Sequence, residues 1–122
     1  MKMDNSVLTR LRNELITFAK MNRKVDYLTC SLVIGHQQIE VEEVDEILKK
    51  IAKEDHAEGR PLLWAIVPAE GSTLPTKAYF DTLASLGIVE KSDQLNEAQI
   101  HARQVQEVFN HWSRRRKTGR KW

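Results

Sequence analysis

The stretch GRPLLWAIVP, residues 59–68, decides how this chain is read. It contains the most apolar run in the sequence, Leu62 to Val67, enclosed by Pro61 and Pro68. Proline cannot continue a helix, and the space between these two is too short for one. The run therefore predicts a buried strand. Gly59 stands where a preceding helix would stop, and Ala69-Glu70-Gly71-Ser72-Thr73-Leu74-Pro75 has the composition of a turn or wing.

Outward from this run, helical spacing takes over. Val41, Val44, Ile47, Leu48, Ile51 and Ala52 form a stripe that predicts a helix over Glu40–Ala57. Glu40, Glu42, Glu43, Asp45 and Glu46 load its start and Lys49, Lys50 and Lys53 its later turns, which suits the helix dipole. Val7, Leu8, Leu11, Leu15, Phe18 and Ala19 predict a first helix capped by Asn5 or Ser6. Thr76 is placed to cap a helix carrying Tyr79, Phe80, Leu83 and Ala84, closed by Gly87, with Ile88 and Val89 as a short extended piece. Asn96 and Gln99 make a capping-box pair for a last helix striped by Ala98, Ala102, Val105, Phe109 and Trp112, running to about Arg116. Residues 25–35 are open. Alternation of Val25, Tyr27, Thr29, Ser31 and Val33 suits a strand, whereas Asp26 as cap and Gly35 as stop suit a short helix, the favoured reading.

A chain of 122 residues suits one domain, here 1–113, followed by a basic tail over 114–122. The lone cysteine, Cys30, excludes an intrachain disulfide and fits a reducing compartment. No apolar run approaches the ~18 residues of a membrane span, and the N-terminal stretch is too polar for a signal peptide. A cytoplasmic protein with no membrane partner is the expectation. The net charge of +2 conceals segregation. Residues 1–24 carry six cations and two anions, residues 25–60 four and nine, residues 61–110 three and six, and the last twelve six and none. Two basic ends flank an acidic middle, a pattern suited to a polyanion or to an oppositely patterned partner.

The order of elements resembles the winged-helix DNA-binding domain of alkylguanine-DNA alkyltransferases and alkyltransferase-like proteins. The likeness spans about Val25 to Pro75. Val25-Asp26-Tyr27 with Ile34-Gly35 is similar to the first helix of that family's helix-turn-helix, Val41 to Ile51 to its recognition helix, and Gly59-Arg60-Pro61 to the approach to its active site. The resemblance implies an α+β, mostly helical fold: a helix-turn-helix, a short buried strand, a wing, and here a long C-terminal amphipathic helix. It does not carry the activity over. Leu62 stands where the alkyl-accepting cysteine belongs and Leu63 where its histidine belongs. The recognition-helix arginine is missing, and carboxylates at Glu42, Glu43, Asp45 and Glu46 would repel phosphates.

Other chemistries lack a constellation. His36, His56, His101 and His111 have no ligand spacing, so they read as surface or boundary residues, with no metal and no cofactor. Gly71-Ser72-Thr73 lacks the spacing and lysine of a phosphate loop. Trp64 and Trp112 read as core, whereas Trp122 has no core to join. The expectation is a non-enzymatic protein without catalytic residues that binds nucleic acid, DNA before RNA. Its contacts would be Arg10, Arg12, Arg23, Lys24, Arg114, Arg115, Arg116, Lys117, Arg120, Lys121 and Trp122. The alternative is a protein-interaction module, an inhibitor, immunity or adaptor protein, using the acidic helix over 40–53 and the basic tail, with a homodimer as one form.

Overall fold

A buried segment without a neighbouring strand must satisfy its backbone polar groups some other way, and this requirement organises the molecule. The computed structural model describes residues 5–89 and 96–119, with side chains described as far as Ser113. Five α-helices appear: α1 (Asn5–Lys20), α2 (Tyr27–Val33), α3 (Val41–Ala57), α4 (Lys77–Ser85) and α5 (Glu97–Gly119). Leu63–Ile66 forms a single 3-10 turn between α3 and α4. The described residues contain no strand, so the α+β winged-helix expectation is overturned. The fold is all-helical. The Ala69–Pro75 segment is a turn with no sheet to be a wing of, and Ile88–Val89 is a bend rather than an extended piece.

The physical reason lies in Leu62–Val67. All six residues are buried, and Trp64 is fully enclosed. α1, α3 and α5 all pack on the turn, so helices rather than strands surround it. With no strand to pair with, the segment bonds to itself: Ala65 N–H donates to Leu62 O at 3.1 Å and Val67 N–H to Trp64 O at 2.9 Å. The remaining groups find partners from elsewhere. Leu63 N–H donates to the Asp55 carboxylate at 3.1 Å. His101 Nε2 donates to Ala65 O at 2.8 Å, and Val25 N–H to Ile66 O at 2.8 Å. Apolar content and proline punctuation correctly indicated a buried segment, but its conformation depended on what lay beside it.

α1, α3 and α4 follow their stripes apart from Val41, which is exposed, but α5 is turned from its expected one: Ala98 and Ala102 face outward, and Ile100, His101, Gln104 and Val108 are buried with Val105 because Ile100 and Val108 offer more apolar area than two alanines. Leu8, Leu11, Leu15 and Ala19 of α1, Val44, Ile47, Leu48, Ile51 and Ala52 of α3, and Val105 and Val108 of α5 share one core with Trp64 and Tyr79. Of residues 25–35, Tyr27–Val33 is helix, capped as expected by Asp26, whose Oδ1 accepts Thr29 N–H at 2.8 Å. α3 ends at Ala57 and is closed off by Gly59, where φ is +74°. Arg60 N–H reaches back to Asp55 O at 2.8 Å and Gly59 N–H to His56 O at 3.1 Å, closing the orphaned carbonyls of the last turn. Thr76 departs from expectation. It precedes α4 in extended conformation but makes no side-chain cap; its hydroxyl donates to Asp45 Oδ2 at 3.2 Å.

Candidate nucleic-acid interface

The end of α1 is shaped by Asn22, the only non-glycine with positive φ among the described residues, at +58°. Asparagine tolerates this left-handed position better than other side chains. It lets Arg23 N–H return to Phe18 O at 3.0 Å and Asn22 N–H to Ala19 O at 3.0 Å. Asparagine also adds what glycine lacks: its Oδ1 accepts the Ser113 hydroxyl at 3.0 Å, and the same hydroxyl lies 3.4 Å from Lys20 O. The last turns of α5 are thereby pinned beside the end of α1. Lys20, Arg23 and Lys24 are all exposed there. Trp112, partly buried, packs on the core just before this junction.

The expected contacts divide between places. Arg23 and Lys24 stand at the junction. Arg114, Arg115, Arg116 and Lys117 continue α5 directly from it, though their side chains lie outside the described set. Arg120, Lys121 and Trp122 lie outside the described residues altogether. Arg10 is exposed on α1, ten residues before Lys20 and therefore about 15 Å away along the axis. Arg12 is taken up in the protein itself: its guanidinium pairs with Glu54 of α3, and its side chain is only 20% exposed. A residue so held joins α1 to α3 and is poorly placed to hold phosphate.

The interior polar groups have structural partners. Asp55 is fully buried on the last turns of α3 and accepts both Leu63 N–H and Arg60 Nε, the latter at 3.2 Å. Burial raises its pKa above the ordinary carboxylate range, opposed by those hydrogen bonds and by the charges of Arg12 and Arg60. Asp45 takes the Tyr27 hydroxyl and the Thr76 hydroxyl, and burial again pushes its pKa up. Tyr27 is held neutral by burial and by the Asp45 carboxylate. The Trp64 indole N–H is buried and meets no acceptor in hydrogen-bonding geometry. His101 is buried against Tyr79, ring centroids 6.2 Å apart, which corrects its reading as a surface or boundary residue. Its Nε2 faces a carbonyl, so it carries the proton; burial lowers its pKa, and the Lys24 charge adds to that.

Cys30 is buried, and burial together with the charges of Asp26 and Glu14 pushes its pKa up to about 12, so the thiolate needed for attack does not form. A shallow cleft of about 480 Å³ beside Asp26 and Pro68–Thr73 has no histidine in its lining. No three metal-ligating side chains gather among the described residues. No helix among them is long and apolar enough to cross a membrane.

Sequence reasoning missed Asp45, Asp55 and His101 as interior groups. Each sits inside a strong helical pattern where a polar residue reads as solvent-facing, yet each falls at stripe spacing: Asp45 four residues after Val41, Asp55 four after Ile51 and His101 four before Val105. Comparisons with family models, curated proteins and solved structures find no match to this chain.

Proposed function

We propose that this protein binds nucleic acid, duplex DNA before RNA, as a non-enzymatic polyanion-binding protein whose contact surface is the junction of α1 and α5. The observation carrying this reading is the Ser113–Asn22 bond, which sets the start of the arginine-rich end of the chain beside Lys20, Arg23 and Lys24. The C-terminus of α1 at the junction would draw a few cations by dipole alone. Six cations without an anion in the last twelve residues exceed that need. Arginine's planar fork suits phosphate oxygens, and binding of this kind is mainly electrostatic and weakly selective for sequence.

The test is fluorescence anisotropy with labelled duplex DNA, single-stranded DNA and RNA at two salt concentrations. Log affinity is expected to fall against log salt with a slope of about −0.9 per phosphate contacted on duplex. Replacing Lys20, Arg23 and Lys24 together by alanine should make that slope shallower by roughly 2 to 3. A chain ending at Ser113 should bind far more weakly than the full chain. Equal binding by the truncated chain would refute the reading.

A further inference from the structure

The faces of α2 and α3 away from the core carry a second surface of opposite character. Five large apolar side chains are exposed among the described residues, and four of them lie here: Leu28 at 41%, Leu32 at 53%, Ile39 at 38% and Val41 at 38%. Leu28 and Leu32 are one turn apart on α2. Ser31, next to Leu32, accepts Glu40 N–H on its hydroxyl at 2.9 Å, and Glu40 lies between Ile39 and Val41. That one bond joins the chain neighbours of Leu32, Ile39 and Val41, placing the exposed side of α2 beside the start of α3. The base of this patch is firm, because Ser31 also donates to Tyr27 O at 2.8 Å and the Tyr27 hydroxyl is bound by Asp45 of α3.

Carboxylates dominate the surroundings of the patch, although Glu43 meets His36 at 2.8 Å and Glu46 lies 3.7 Å from Lys49. No lysine or arginine occurs between Lys24 and Lys49, while that interval holds six carboxylates. Asp45 is turned inward; Asp26, Glu42, Glu43 and Glu46 are exposed. Favourable placement at a helix start accounts for Glu42 and Glu43. It gives no reason for four exposed aliphatic side chains beside them.

We infer that this surface docks a cationic amphipathic helix of another protein, its aliphatic face seated on Leu28, Leu32, Ile39 and Val41 and its lysines or arginines facing Glu42, Glu43 and Glu46. The carboxylates exclude the other occupants. Nucleic acid and anionic lipid are repelled, and a second copy related by a two-fold axis would set acid against acid. A cationic helix removes the aliphatic side chains from water and neutralises the rim together. This surface is separate from the basic junction, and either can exist without the other.

The probe is a labelled helical peptide of about fifteen residues made of leucine and lysine, with the leucines on one face. Its control is a scrambled peptide of the same composition with no apolar face. The full-length protein should bind the amphipathic peptide about tenfold more tightly than the scramble. Leu28→Ser with Leu32→Ser should remove most of that difference; both side chains are exposed, so the fold is retained. Glu42→Gln with Glu43→Gln and Glu46→Gln should weaken binding and flatten its salt dependence, and neither variant should alter DNA affinity. Equal binding of both peptides, binding unchanged by either variant, or no binding would overturn the inference. So would wild-type self-association in sedimentation that Leu28→Ser with Leu32→Ser abolishes, since the face would then belong to a second copy.

Discussion

Replacing His101 by glutamine separates the hydrogen bond it makes from the proton it refuses. Glutamine can set an amide N–H where the imidazole Nε2–H now stands, 2.8 Å from Ala65 O, and has nothing to titrate. Burial holds the folded-state pKa of His101 below its ordinary value of 6.5. Stability carried by the neutral ring is therefore whole above that value, and it is lost as the pH falls from there toward the lower folded value. The loss cannot exceed one proton, about 1.4 kcal/mol per pH unit. Asp45 and Asp55 act the other way. Their folded pKa values are raised, so their contribution is greatest in acid and declines as the pH rises through those values. Urea unfolding of the wild type should show the share of stability due to His101 declining as the pH falls below 6.5. His101→Gln should flatten that decline while staying within about 1 kcal/mol of wild type at alkaline pH. His101→Leu should lie about 1–3 kcal/mol below His101→Gln at every pH, because Ala65 O is left buried without a donor. An unchanged slope in His101→Gln, or equal stability of the leucine and glutamine variants, would refute the role assigned to this ring.

Asp55 offers a parallel case. Asp55→Ala strips the acceptor from Leu63 N–H and the counter-ion from Arg60, an expected loss of about 3 kcal/mol in urea unfolding. Asp55→Asn keeps an oxygen for Leu63 and should lose about 1 kcal/mol. Arg12 is expected to diverge from its neighbours on the same helix. Arg12→Met should change stability by no more than about 1 kcal/mol, since Glu54 is half exposed, and should leave the salt slope of DNA binding where it was. Anisotropy with Arg23→Ala in parallel should show a shallower slope, the difference between a cation held by the protein and one free for phosphate.

The stripes of α1, α3 and α4, the cap at Asp26 and the stop at Gly59 follow from neighbours within about one or two turns, because helical bonds and the side chains sharing a face are local. The Thr76 cap and the buried face of α5 did not follow, since Asp45 took the Thr76 hydroxyl and the core drew in Ile100, His101, Gln104 and Val108 rather than Ala98 and Ala102. Leu62–Val67 is a further counterexample. Six apolar residues without periodicity specify burial but no backbone conformation, and a strand exists only if another strand lies beside it. Here Asp55, His101 and Val25 supplied the partners instead, and the run closed into a 3-10 turn among helices. The charge at both chain ends was equally plain in the sequence, but not its geometry. Ser113 and Asn22 are 91 positions apart, and their bond decides which cations stand together. Arg12 was drawn out of that group by Glu54, a residue 42 positions away that nothing local could have named. Composition and periodicity determine which segments are helical and which charges exist. Which charges remain available to a partner depends on pairings the chain makes only once it has folded.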